Sequence, residues 1–179
     1  MDLETYMKPI LIVGQPRTAS SSITKMVQDL GVFVGDDFEP LKANSDGTYE
    51  DFEFTSVSHA YIQEDISRDE FLHRLEELVW VRNKDHELWG VKDPRAYKML
   101  KDYIKIIKPR FIRTHRPAHT CIDSMVKTFK WTRERAYKTY NAINYILDER
   151  LQGQEVLNIY MEDLKNQTAI NKLRNFIYG

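Results

Sequence analysis

Short aliphatic runs, each closed by a turn signal and followed by a longer stretch of helical spacing, recur along this chain. Ile10-Leu11-Ile12-Val13 is apolar without interruption. Pro9 opens it and Gly14-Gln15-Pro16 closes it, so residues 9–14 are expected to form a short buried strand. From Ser20 onward Ile23, Met26, Val27 and Leu30 recur at helical spacing, and Gly31 stands at the C-cap position. Residues 88–92 predict a second strand, broken by Asp93-Pro94. Tyr97, Leu100, Tyr103, Ile104 and Ile107 then share one helical face up to Pro109. Residues 110–114 predict a third strand, with Pro117 opening a helix that runs to about Lys130. A long helix over residues 132–151, a fourth strand over 155–160 and a closing helix over 168–177 complete the pattern. Between the first two units lie an extended loop over residues 32–47, rich in Gly, Asp, Pro and Asn, and a helix over 50–66. The capping box Ser67-Arg68-Asp69-Glu70 follows, leading an apolar stripe of Phe71, Leu72, Leu75, Leu78 and Val79.

Strands alternating with helices imply an α/β fold, here a three-layer α/β/α sandwich around a parallel sheet of four to five strands. No linker, repeat or low-complexity tract interrupts residues 1–179, which are read as one domain. The composition agrees: 179 residues, 42% hydrophobic and 30% charged, exclude a disordered or fibrous chain. A net charge of −1 argues against holding nucleic acid through overall positive charge, so any anion site is local. The single cysteine, Cys121, excludes an intramolecular disulfide and a cysteine-based zinc site, and suits a reducing compartment. No apolar run approaches the roughly 20 residues that cross a bilayer, and Met1-Asp2-Leu3-Glu4 lacks the basic start of a signal peptide. The expectation is a soluble, cytoplasmic protein without a membrane partner.

Open α/β sheets bind ligands beyond the carboxyl ends of their strands, so the residues that follow each run carry the functional information. After the first strand comes Gly14-Gln15-Pro16-Arg17-Thr18-Ala19-Ser20-Ser21-Ser22. A turn into a helix N-terminus offers free N–H groups and the positive end of the dipole, and here hydroxyls and an arginine surround it. A phosphate-like anion is the natural guest. The opening unit is P-loop-like, but in the triphosphate pattern G-x-x-x-x-G-K-S/T the second Gly is replaced by Ala19 and the Lys by Ser20. Residues 92–116 hold nine Lys or Arg against two acids, whereas residues 29–70 hold twelve acids against two bases. Two opposed lobes thus hide inside the near-zero total. Lys98, Lys101, Lys105 and Lys108 are expected to be the solvated face of one helix, while Lys92, Arg95 and Arg116 stand at strand ends.

These segments resemble the PAPS-dependent sulfotransferases, which move a sulfuryl group from 3′-phosphoadenosine-5′-phosphosulfate to an acceptor, and the likeness spreads over nearly the whole chain. Residues 14–21 look like that family's 5′-phosphosulfate loop, with Ala19 where the loop has Gly. A position needing φ > 0 would make Ala19 costly. Gly47-Thr48-Tyr49-Glu50-Asp51 resembles the G-Y-F-E-D segment of a bacterial-type branch. Trp89-Gly90-Val91-Lys92-Asp93-Pro94-Arg95 resembles its W-G-x-K-D-P-R, the most specific match. Arg116 and Ser124 keep the spacing of the family's 3′-phosphate segment, although Pro117 directly after Arg116 leaves His115 as the alternative to Arg116. Tyr160-Met161-Glu162-Asp163-Leu164 resembles a structural Y-E-D-L.

The resemblance implies a PAPS-dependent sulfotransferase that uses no metal and transfers to a hydroxyl or amine of a small-molecule or glycan acceptor. Arg17, Thr18, Ala19, Ser20, Ser21, Ser22, Arg116 and Ser124 would bind the cofactor, and Arg17, Lys92 and Glu50 would be catalytic. Sulfuryl transfer depends on positioning and on stabilising charge on the leaving phosphate, with a carboxylate or His taking the acceptor's proton. Glu50 is the first choice for that base, with Glu39, Asp51, His59 and Asp93 open. A nucleotide or metabolite kinase of P-loop type and a non-catalytic nucleotide-binding protein of the same fold are the competing readings. His115 and His119 have a metal-pair spacing but flank Pro117 and lack a third ligand. Asn83-Lys84-Asp85-His86 misplaces the Asp of a guanine-reading motif and is expected to be a turn. Trp80, Trp89 and Trp131 are candidates to stack on a base, with core packing the better expectation for Trp89. The acid-rich lobe favours a neutral or cationic acceptor over an anionic polysaccharide.

Overall fold

The aliphatic run of residues 10–13 has no polar face, and in the computed structural model it forms the inner strand of a sheet covered on both sides. The structure describes residues 7–36, 48–165 and 167–179. Four strands, β1 (Ile10–Gly14), β2 (Gly90–Lys92), β3 (Arg110–His115) and β4 (Val156–Tyr160), are all parallel and lie in the order β2-β1-β3-β4. Leu11, Val13, Val91 and Phe111 face one helical layer, while Ile10, Ile12, Ile112 and Ile159 face the other. The strand period of two thus divides one continuous apolar sequence between two cores.

Helix α1 (Ser20–Asp29) and the closing helix α7 (Thr168–Tyr178) cover the second face with Ile23, Val27, Ala169, Leu173 and Ile177. On the opposite face lie α2 (Phe52–Ile62), α3 (Arg68–Asp85), α4 (Leu100–Ile107) and α6 (Arg133–Arg150). They contribute Phe54, Phe71, Leu75, Tyr103, Ile143 and Leu147. Helix α5 (Ala118–Phe129) packs on α6 through Cys121, Ile122, Met125 and Ala136. Local chemistry sets the helix ends. Asp51 caps α2 by accepting from the Glu53 and Phe54 N–H groups, Ser67 caps α3 at the Glu70 N–H, and Thr132 caps α6. Gly31, at φ +90°, follows α1 as the expected C-cap signal.

Three expectations change. The helix expected over residues 96–108 is split: a 3-10 turn at Ala96–Lys98 precedes α4. Asn83, Lys84 and Asp85 are not a turn but the last turn of α3, where Asn83 Oδ1 accepts from the buried Trp89 indole N–H at 2.8 Å. The loop after α1 also joins the sheet, since Phe33 forms a parallel bridge to Trp89, with Phe33 N–H donating to Leu88 O and Gly90 N–H donating to Phe33 O. That single bridge, outside β2, extends the four strands. Residues 37–47 of the expected loop, Glu39 among them, lie outside the described residues. Among the described residues, no helix is long and apolar enough to cross a membrane.

Candidate active site

Strand order reverses about β1, whose two neighbours β2 and β3 come from later and separate parts of the chain, and a crevice opens beyond their carboxyl ends. The close approach of β1 and β3 there requires Gly14. A Cβ at that position would lie 2.2 Å from Thr114 Oγ1 and 2.8 Å from Thr18 Oγ1. Those two hydroxyls hydrogen-bond at 2.6 Å, and Thr18 Oγ1 also donates to Gln15 O. Thr18, 2% exposed, therefore braces the loop from inside with its side chain while Arg17 and Ala19 present theirs to the crevice.

The loop is backbone-strained. Arg17 has φ 72° and Ala19 φ 65°, both in the left-handed region, so Ala19 does occupy a conformation that favours glycine. Two further contacts hold the loop there: the Arg116 guanidinium donates through Nη1 to Arg17 O at 3.0 Å, and the Cys121 thiol donates to Pro16 O. Burial pushes the Cys121 thiol up to about 11, so it is a packing and donor group. Ala19 is also the N-cap of α1 and brings no side-chain acceptor to it, which leaves first-turn N–H groups available to an anion.

A cavity of about 470 Å³ lies over this loop and takes in Gln15, Arg17, Ala19, Ser20, Ser21, Ser22, Thr48, Glu50, Lys92, Arg116 and Phe129. Lys92, at the end of β2, is almost fully buried. Its Nζ donates to Ser21 Oγ at 3.0 Å and to Thr48 O at 2.5 Å, and lies 3.5 Å from Glu50 Oε1. Burial pulls its pKa below the usual lysine value, and the adjacent Glu50 carboxylate opposes that pull. Ser21 Oγ donates in turn to Thr48 O at 3.0 Å. Helix α1, β2 and the segment before α2 thus meet at one carbonyl.

The sequence-derived candidates divide by role. Arg17, Ala19, Ser20, Ser21, Ser22, Lys92, Glu50 and Arg116 border the cavity. Ser124, on α5, accepts from Arg17 Nε at 3.1 Å and so fixes the arginine. His115 hydrogen-bonds Asn158 through Nε2 and stacks on Tyr160, engaged on the β4 side, whereas Arg116 reaches the loop. Among the alternatives to Glu50, Asp51 is buried against Arg82 at 2.9 Å, and burial raises its carboxyl. Asp93, 1% exposed, accepts from Tyr103 Oη and the Arg95 N–H, and burial raises it as well. Both carboxylates serve the scaffold. His59 borders a second cavity, described below. Trp89 is core, and Trp80 is exposed with the Lys84 ammonium over its ring.

Sequence reasoning missed Gln15, Thr48 and Phe129. Among the described residues, Gln15 Nε2 and Arg116 Nε are both buried without a hydrogen-bond partner at the cavity wall. Two orphaned donors beside strained loop amides fit an anionic guest. Phe129, at the far end of α5, offers a ring to the same space. The motif around Gly14 carries the signal for Gln15. Thr48 acts through its carbonyl, which no side-chain pattern encodes.

No protein-family model matches the chain, and no curated protein matches it in sequence. Solved structures do match in fold. The sulfotransferase domain from the curacin biosynthetic pathway superposes with a TM-score of 0.65 at 11% identity, covering 96% of this chain and 74% of that one. The sulfotransferase domain of the Synechococcus PCC 7002 olefin synthase gives 0.61 at 12% identity, covering 99% and 75%. Shikimate kinase from Bacteroides thetaiotaomicron gives 0.52 at 8% identity, covering 93% and 94%. The chain therefore has a sulfotransferase-like, P-loop-like α/β fold that kinases share.

Proposed function

We propose that this protein is a PAPS-dependent sulfotransferase. The observation that carries the reading is the convergence of Arg17, Lys92, Arg116 and Glu50 on one cavity at the strand ends, with Ser20 where a triphosphate P-loop has its lysine. The cations come from the loop, from β2 and from the residue after β3. The likeness to sulfotransferase domains supports the same choice.

The cavity suits an anionic nucleotide. First-turn N–H groups of α1 and Ser20, Ser21 and Ser22 would hold the 5′-phosphate side, and Arg116, with its orphaned Nε, would hold the 3′-phosphate. Ser124 supports Arg17 rather than reaching the ligand alone. Phe129 offers a face for the base. Bound there, the donor supplies an activated sulfuryl group on a phosphate leaving group. Arg17 and Lys92 place positive charge where the leaving phosphate develops negative charge, in a site whose burial strengthens each interaction. Glu50 Oε1 faces Lys92 at 3.5 Å and is placed to take the proton of an acceptor hydroxyl or amine. Lys92 holds Glu50 in the resting site and orients it.

Thermal unfolding with 3′-phosphoadenosine-5′-phosphate, set beside ATP with Mg2+ and AMP, tests the reading. A ligand at about 100 times its Kd adds about 2.7 kcal/mol, or roughly 5–10 °C for a chain of this size. A shift with the 3′-phosphorylated nucleotide alone, lost in Arg17→Ala, is expected. A shift with ATP and Mg2+ alone overturns the proposal in favour of a kinase.

A further inference from the structure

Beyond Glu50 the crevice continues into a second cavity of about 380 Å³, bordered by Thr48, Glu50, Thr55, His59, Asp65 and Arg95. Thr48 and Glu50 belong to both cavities. A molecule in the second cavity therefore approaches the first past Glu50, the geometry an acceptor requires.

Its charge is not that of the acid-rich sequence segment around it. Asp51 and Glu53 are spent on Arg82, Glu50 on Lys92, Glu70 on Arg74 and Asp29 on Lys25. Of the acids in that segment, only Glu50 and Asp65 border the cavity among the described residues. Arg95 borders it with them. Among the described residues its nearest carboxylate oxygen, Asp93 Oδ1, is 3.9 Å from Nη1, too far for a hydrogen bond, and Nη1 is buried with no partner among them. Asp93 Oδ1 instead accepts from the Arg95 backbone N–H, and Asp93 Oδ2 accepts from Tyr103. Among the described residues the Arg95 guanidinium thus has Asp93 near it but no hydrogen bond at Nη1, an arrangement that suits a carboxylate guest. Asp65, which borders the same cavity, disfavours a second negative charge.

We infer that the second cavity is an acceptor site for a small hydroxy or amino acid, whose single carboxylate pairs with Arg95 and whose nucleophilic group is presented at Glu50. This deepens the sulfotransferase reading and rests on it for the word acceptor, but the carboxylate site stands on Arg95 alone. The inference departs from the expectation of a neutral or cationic acceptor: of the acidic segment's described carboxylates only Glu50, paired with Lys92, and Asp65 border the cavity, and Arg95 borders it with them.

The test is ligand-observed NMR binding of three matched pairs, each a hydroxycarboxylic acid and its primary amide: 4-hydroxybenzoate, 3-phenyllactate and 4-hydroxybutyrate. Each pair is measured on the full chain with and without 3′-phosphoadenosine-5′-phosphate. At least one acid is expected to bind about tenfold more tightly than its amide, the factor one charge-assisted hydrogen bond supplies. Arg95→Gln is expected to erase that preference while leaving nucleotide binding and the unfolding midpoint unchanged. Equal binding within every pair, no binding by any acid, or a preference that survives in Arg95→Gln overturns the inference. Should the nucleotide itself fail to bind, the sulfotransferase reading falls, while the acid–amide comparison on the free protein still decides whether Arg95 holds a carboxylate.

Discussion

Ala19 sits at φ 65°, where an L-side chain costs roughly 1–2 kcal/mol. The loop keeps this geometry because Thr18, Arg116 and Cys121 hold it from three sides. Ala19→Gly removes the strain and returns part of the gain as unfolded-state entropy. A net stabilisation of about 0.5–1 kcal/mol is expected, read as a rise of about 1–4 °C in Tm. A fall in Tm would mean that the Ala19 methyl is a packing group. Lys92 invites a second prediction at this scale. Burial lowers its pKa, so its ammonium loses its proton at lower pH than an ordinary lysine. Anion binding in the cavity is therefore expected to weaken with rising pH before 10.5, the usual lysine value. Lys92→Arg, always charged, should remove that alkaline limb, which a titration of nucleotide affinity against pH would show.

Among the elements, the β1–loop–α1 unit was legible in the sequence because its signals are local: an aliphatic run, a Gly-Gln-Pro stop and helical spacing from Ser20. The four strands and the cations at their ends followed from the same kind of evidence. What stayed hidden is contact between elements distant in sequence. Phe33 pairs with Trp89, Ser124 holds Arg17 and Thr48 offers a carbonyl to Lys92, and no periodicity specifies any of these. The expected turn at residues 83–86 failed for a related reason. Asn83 is a weak helix former kept helical by its bond to the Trp89 indole. The β1–β3 junction yields its own prediction. Gly14→Ala forces a methyl into Thr114 Oγ1 and should cost about 1–3 kcal/mol. Thr114→Ala in the same chain should recover part of that loss in denaturant unfolding, and an additive double mutant would refute the clash.

For the molecule as a whole, a buried carboxyl contributes to how stability follows pH. Burial raises Asp93 above its ordinary 3.8, the Tyr103, Ser58 and backbone hydrogen bonds opposing it. Between that value and the raised one the folded state binds more protons than the unfolded, so this group's contribution to stability falls as pH rises. Asp93→Asn cannot titrate. Its Tm relative to wild type is expected to climb across that window, whatever its starting offset from altered hydrogen bonds, and a constant difference would contradict the raised carboxyl.

The order β2-β1-β3-β4 also governs when the site can come into being. Ile10 pairs with Gly90 on one side and Arg110 on the other, so β1 waits for partners that follow it by 80 and 100 residues. During synthesis β1 and its loop leave the ribosome before either sheet neighbour, and Lys92 and Arg116 follow only with β2 and after β3. Long-range parallel pairing of this kind is slow and exposes an apolar edge while it waits. The anion cradle thus forms only once β2 and β3 have joined β1, and an N-terminal fragment ending before β3 would carry the loop sequence without Arg116 or the Thr114 brace.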